Sequence, residues 1–196
     1  MNQKGLLAVI ASGLILGLAL VWWLLPKWLT TSKAEPTPPA ATAGASPTGP
    51  VAARMVTATL YFVAEDGTTL VPESTEVAFG TSPTEQARHI LEAQLAPAAR
   101  GRLSAMPAGV KVNAIYFTTK GDAYVDLSRD IITGHPGGSL NEALTVYTIV
   151  SALTTNVREI SAVQILVDGK QIDTLAGHID LRQPLAADPR WVQKGQ

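Results

Sequence analysis

The chain has 196 residues, with 15 Lys and Arg against 16 Asp and Glu, for a formal net charge of -1 at pH 7. That balance offers no basic face for nucleic acid. Cysteine is absent, which excludes a disulfide framework, a thiolate zinc site, a cysteine nucleophile and a lipid-modified cysteine.

The stretch from Gly5 to Leu25 is almost wholly apolar. Roughly 20 apolar residues cross a bilayer core as a helix, so residues 1–29 read as a transmembrane anchor with a short flank. Trp22, Trp23 and Trp28 gather at its distal end, where indoles favour the headgroup level. The rival reading is a cleaved signal peptide. That would require a shorter apolar core followed by a small-x-small site, and Trp-Trp-Leu-Leu-Pro-Lys-Trp stands there instead. Lys4 and the terminal amine are nearly balanced by Lys27 and Lys33, so flanking charge alone does not orient the segment. Residues 30–53 are rich in Pro, Ala, Thr, Ser and Gly. They have too little apolar surface to offset ordering entropy and are expected to form a disordered tether.

A globular pattern begins at about Arg54 and runs to Leu181. Val56 to Val63 is a strand rich in β-branched and aromatic residues, Asp66-Gly67 a hairpin turn, and Thr69 to Phe79 the partner strand. Pro72 suits an edge or a bulge. Ser82-Pro83-Thr84-Glu85 reads as a capping box with proline at the first helical position. The helix after it carries Ala87, Ile90, Leu91 and Leu95 on one stripe and stops at Pro97. Val112 to Thr118 and Ala123 to Leu127 form a second hairpin across Gly121-Asp122. The breaker cluster Gly134-His135-Pro136-Gly137-Gly138 precedes a long apolar helix, which Ser139 and Glu142 open as a second capping box. Val163 to Val167 and Gln171 to Leu175 form a third hairpin across Asp168-Gly169. Residues 182–196 read as a mobile tail, with Trp191 as its one candidate for docking.

The order hairpin, helix, hairpin, helix, hairpin argues against a doubly wound parallel sheet. It predicts an α+β domain of three hairpins alternating with two helices, both packed on one sheet face.

Several motifs, taken in order, resemble the sporulation and spore germination domain of the GerMN type. They are Leu60-Tyr61-Phe62-Val63 with Leu70-Val71-Pro72-Glu73, Met106 to Val112, and Ala123 to Ser128. Gly137-Gly138-Ser139 with Glu142, Val167-Asp168-Gly169 and Gly177-His178 complete the set, which spans roughly Thr57 to Leu181. The resemblance implies a membrane-anchored, extracytoplasmic bacterial protein with a fold similar to ring-building modules of secretion systems. It carries over no catalytic residue. Relatives often have a lipidated cysteine where this chain has its apolar helix, and spore members can carry two copies of the domain where this chain has one.

Candidate chemistry centres on His89, His135 and His178. His89 lies on the flank of the first helix and reads as structural. His135 and His178 could build a metal or acid–base site if they met Asp126 or Asp180, although no His-x-x-x-His or His-Glu-x-x-His spacing is present. Ser128 and Ser139 lack the Gly-x-Ser-x-Gly context of a nucleophile and read as a turn binder and a helix cap. Gly137 and Gly138 could bind an anion at the helix N-terminus, but the lysine of a phosphate loop is missing; tight-turn geometry is the simpler account.

These readings combine into a non-enzymatic protein spanning the cell (inner) membrane once, with its C-terminal domain outside the cytoplasm. That domain is expected to bind an envelope protein partner or its own copies, with no cofactor, metal, nucleic acid or small-molecule substrate. The alternative is an envelope hydrolase or glycan-binding protein using His135, His178 and nearby carboxylates.

Overall fold

The computed structural model describes residues 54–193. The expected anchor (1–29) and tether (30–53) lie outside the described residues.

Strands β1 (Met55–Val63) and β2 (Leu70–Ala78) form an antiparallel ribbon. The Asp66-Gly67 turn joins them, with Gly67 at φ 73° and the Asp66 carboxylate accepting from the Thr68 amide at 2.9 Å. Because Thr69 and Phe79 bond inward to Ala64 and Arg54, the two-residue period of the ladder turns the even-numbered amide positions of β2 outward. Pro72 occupies one of them, so its missing N–H removes no ladder bond.

Helix α1 (Pro83–Leu95) starts as its sequence predicts: Ser82 Oγ accepts from the Glu85 amide at 3.1 Å, with Pro83 in the first turn. The return arm differs. The Glu85 carboxylate reaches past Ser82 to the amide and hydroxyl of Thr81, at 2.7 and 2.6 Å. Ala87, Ile90, Leu91 and Gln94 form the buried stripe.

The main sheet has the order β3 (Val112–Phe117), β4 (Asp122–Leu127), β5 (Ala162–Val167), β6 (Lys170–Gln171), with β7 (Leu185–Ala186) also on β5. A four-residue helix α2 (Asp130–Thr133) and the long helix α3 (Ser139–Asn156) cross from β4 to β5. That crossover makes β4 and β5 parallel, as a long helical connection requires. The other pairings are antiparallel.

The hairpin order does not say whether the hairpins share one sheet, and here they do not: β1 and β2 stand apart from β3–β7, and both long helices contact the ribbon as well as the main sheet. Two expectations need correction. The third hairpin is vestigial. Only Lys170 and Gln171 pair with β5, where Gln171 to Leu175 was expected to form a strand. Beyond them the chain turns away, because the Leu175 amide goes to the Glu142 carboxylate and the Asp173 carbonyl accepts from Leu181. Finally, residues 182–193 are no tail. Leu185 and Ala186 pair with Val163 and Ala162, a 3₁₀ turn follows over Pro189–Trp191, and Trp191 stacks on Tyr147 at 5.7 Å.

The ribbon meets the helices through amides rather than a third strand. The outer edge of β1 would leave the backbone of Thr59 and Tyr61 unpaired. Asn156 and Gln94, near the C-terminal ends of α3 and α1, fill the gap. Gln94 accepts from the Tyr61 amide and donates to the Tyr61 carbonyl, both at 2.8 Å. Asn156 does the same for Thr59, both at 2.7 Å. A carboxamide carries a donor and an acceptor side by side, like a peptide group, so each side chain stands in for one residue of a neighbouring strand.

Candidate functional site

The breaker loop and the start of α3 carry most of the polar residues singled out from the sequence. Gly137 and Gly138 have φ of 81° and 87°, a region in which a β-branched residue is strongly disfavoured. Gly138, and not Ser139, is the N-cap, and its carbonyl accepts from the Glu142 amide at 3.0 Å. Ser139 is the first helical residue and makes no cap bond. The expected Ser139–Glu142 capping box is therefore absent. With Gly138 at positive φ as the cap, the helix starts one residue earlier in the chain than the motif implies. Asn141 provides a substitute contact, its Nδ2 donating to the Gly137 carbonyl at 2.8 Å.

One mutational result follows. Ser139 is exposed, so Ser139→Ala should change stability by no more than about 0.5 kcal/mol, as is usual for an exposed site. A functioning N-cap would cost about 1 kcal/mol. Urea unfolding of the variant separates the two values.

Glu142 instead points inward and is fully buried. Its Oε1 accepts from the Leu175 amide at 2.9 Å, and its Oε2 accepts from the His178 amide at 2.8 Å and lies 3.0 Å from His178 Nδ1. Burial pushes its pKa upward, but the amides of Ala176, His178 and Ile179 and the His178 ring outweigh it and hold the carboxyl below its ordinary range. The carboxylate thus organises the segment between β6 and β7. Since Oε2 accepts at Nδ1, the ring presents Nε2 on its other side, and the His178 side chain is half exposed.

His135 is engaged locally. Its Nδ1 accepts from the Gly137 amide at 2.9 Å, and its Nε2 lies 3.3 Å from Thr145 Oγ1. The Thr145 hydroxyl donates to the Ala105 carbonyl at 2.8 Å, which leaves Nε2 as the donor to Thr145 and assigns the neutral Nε2–H tautomer. His89 Nδ1 lies 3.1 Å from the Ala78 carbonyl, on the half-buried flank of α1.

The carboxylates proposed to join these histidines lie elsewhere. Asp126 Oδ1 accepts from the Gly169 amide at 2.7 Å and closes the turn after β5. Asp180 binds Arg182 through Nε at 2.9 Å and Nη2 at 2.6 Å, and that guanidinium holds its carboxyl well below the usual range. Ser128 Oγ accepts from the Lys111 amide at 3.0 Å and donates to Asp130 at 2.7 Å, a turn role. The structure therefore brings His178 to Glu142, a carboxylate that the sequence reading assigned to a cap. It does not bring His135, His178, Asp126 and Asp180 together. Among the described residues, no group of three or more His, Asp or Glu is placed to hold a metal ion.

Two grooves of about 500 and 510 Å³ open on the surface. The first is lined by Phe62, Glu73 and Arg102 among others, the second by Leu95, Met106, Pro107 and Val110. Neither includes a histidine. In the first, Arg102 pairs with Glu73 and lies 5.0 Å above the Phe62 ring, so its charge is already matched.

Sequence reasoning missed Gln94, Asn156 and the inward turn of Glu142. The available signal was a polar residue on an apolar stripe: Gln94 lies three residues after Leu91, and Glu142 precedes Val146 and Ile149 at helical spacing.

Comparison with known proteins agrees with this architecture. The profile of the family Germane, described as sporulation and spore germination, matches residues 59–173. No curated protein sequence matches the chain. The first GerMN domain of the sporulation protein GerM from Bacillus subtilis is similar at 18% identity and a TM-score of 0.54, over 67% of this chain and 97% of that one. The tandem GerMN domains of the same protein match at 16% identity and a TM-score of 0.53, over 68% of this chain. This chain spans only 46% of that tandem chain. At these identities the likeness is one of fold.

Proposed function

Because this chain belongs to the Germane family of sporulation and spore germination, we propose that it is a membrane-anchored domain held outside the cytoplasm. There it binds a protein partner, or its own copies, in a bacterial envelope complex, without catalysis. The observation that carries the reading is the apolar stretch Gly5 to Leu25 ahead of the Pro/Ala/Thr-rich residues 30–53 and the family domain. An apolar segment of that length fits a bilayer, and a tether of that composition would hold a domain clear of the headgroups. Among the described residues no helix is long and apolar enough to cross a membrane. The interaction role is supported by the way the polar side chains of the domain are used: Gln94, Asn156, Asp126 and Glu142 all bind backbone groups and hold its elements in place.

Paired reporters fused at the C-terminus test the topology. A reporter active only outside the cytoplasm should work, and one that folds only in the cytoplasm should stay dark. The opposite pattern would sink the proposal. Crosslinking in native membranes, followed by purification through a tag on the chain, then tests for a partner; recovery of the monomer alone would remove the assembly role.

A further inference from the structure

The family match ends at residue 173, and the fold continues beyond it. Residues 182–193 run across three separate parts of the domain. Leu185 and Ala186 extend the outer edge of β5, Trp191 stacks on Tyr147 of α3, and Val192 bridges to Leu70 at the start of β2, whose carbonyl also accepts from the Gln193 amide at 2.8 Å. Beneath this strap Val163 and Leu70 are essentially inaccessible. The strap itself is shallow: Leu185, Trp191 and Val192 are half-buried and none of its residues is fully buried. Its first residue is tied at the hinge, where Arg182 pairs with Asp180 and its carbonyl accepts from Gln171 Nε2 at 2.7 Å; beyond that it makes two register pairs with β5, and the ion pair of Arg190 with Asp188 stays within the strap.

A strap of this kind is held by few contacts and covers a surface that needs covering. Lifted, it would expose the edge of β5, and an exposed edge is a template for another chain. The hinge is short. Leu181 is anchored by its amide on the Asp173 carbonyl, Arg182 and Gln183 stand in a bend, and Pro184 follows. The residue before a proline is biased to extended backbone, so opening this bend takes Gln183 towards its preferred conformation. Every copy of the chain carries the same strap and the same receiving surface, so exchange between copies would replace each contact with its equivalent at little cost.

We propose that residues 182–193 form an exchangeable strap, and that the surface formed by β5, Tyr147 and Leu70 receives the same strap from a second copy of this chain. The proposal rests on the assembly reading above and specifies one contact by which copies would join.

The absence of cysteine makes the test clean. Ala162 and Ala186 are register partners across β5 and β7. Antiparallel partners stand about 4.5–5.5 Å apart, inside the range of roughly 4.4–6.8 Å that a disulfide spans. Ala162 is half-buried and Ala186 exposed, so either should accept a cysteine. Two full-length chains with different tags would be co-expressed, one with Ala162→Cys and the other with Ala186→Cys. Exchange predicts a reductant-sensitive species at twice the monomer mass carrying both tags. It should be lost when Thr81→Cys, on an exposed loop away from the strap, replaces Ala162→Cys. A single chain with both substitutions shows that the pair can bond. If that chain forms its internal disulfide and the mixed chains form no linked species, exchange is wrong. If the two tags still co-purify in that case, the assembly reading survives and only the strap contact falls. Equal linkage from the Thr81→Cys partner would mark random collision and would also overturn the proposal.

Discussion

Glu142→Ala should lower the stability of the domain by about 3–5 kcal/mol, since each buried donor left unpaired costs about 1–3 kcal/mol and the amides of Leu175 and His178 both lose their acceptor. The loss should be local in origin and global in effect, because this carboxylate holds the backbone of Leu175 and His178 over the start of α3, beside the buried Leu175 and Leu181. Glu142→Gln should fall between, retaining an acceptor at one position and placing a donor against donors at the other. The pH dependence carries a sign. The folded-state pKa of Glu142 lies below its ordinary value of 4.5, so its contribution is fully present above about that pH. It is lost as pH falls through the lowered folded value. Urea unfolding of residues 54–193 between pH 7 and pH 3 measures this. The parent should lose more stability than Glu142→Gln across the acid window, and equal losses would show that the carboxylate is not charged in the fold.

Gln94→Leu should cost about 2–4 kcal/mol, although it places an apolar side chain of similar size on an apolar stripe. Simple burial arithmetic favours the substitution. The opposing effect is the buried N–H and C=O of Tyr61, each left without a partner at about 1–3 kcal/mol. Gln94→Glu separates the two halves of the interaction. It keeps the acceptor for the amide, loses the donor to the carbonyl and sets a charge against the carbonyl oxygen. It should be at least as damaging as leucine near neutral pH and recover in acid, where the protonated carboxyl can donate. Its pH trend is therefore opposite to that of Glu142. A leucine variant with an unchanged urea midpoint would show that the carboxamide does not act as a strand mimic.

Local order along the chain was legible because its causes are local. The Asp66-Gly67 turn, the Ser82-Pro83 helix start, the stop before Pro97 and the alternation of Ala123 to Leu127 each depend on residues within a few positions of one another. The edge role of Pro72 was legible for the same reason, since a residue without an N–H fits few places in a sheet. The ordered series of motifs that resembles the family was readable too, because its residues and their order stand in the chain itself.

What the tertiary structure decided depends on partners far apart in sequence. Glu142 sits three residues after Ser139, where a capping box belongs, and no local rule distinguishes reaching back to a helix end from reaching inward to amides at Leu175 and His178. The inward choice prevails because Gly138, at positive φ, already begins the helix, and because a buried loop elsewhere needs an acceptor. Gln94 and Asn156 look like ordinary polar residues near helix ends until β1 arrives with unpaired backbone groups. Residues 182–193 look like a tail because Pro184 and Pro189 interrupt them and no apolar periodicity runs through them. Their place is set by the open edge of β5 and the face of Tyr147, and both exist only once the sheet and α3 have come together. Periodicity records which face of an element is apolar, but the unpaired backbone groups that a packed neighbour presents decide where the polar side chains on that face go.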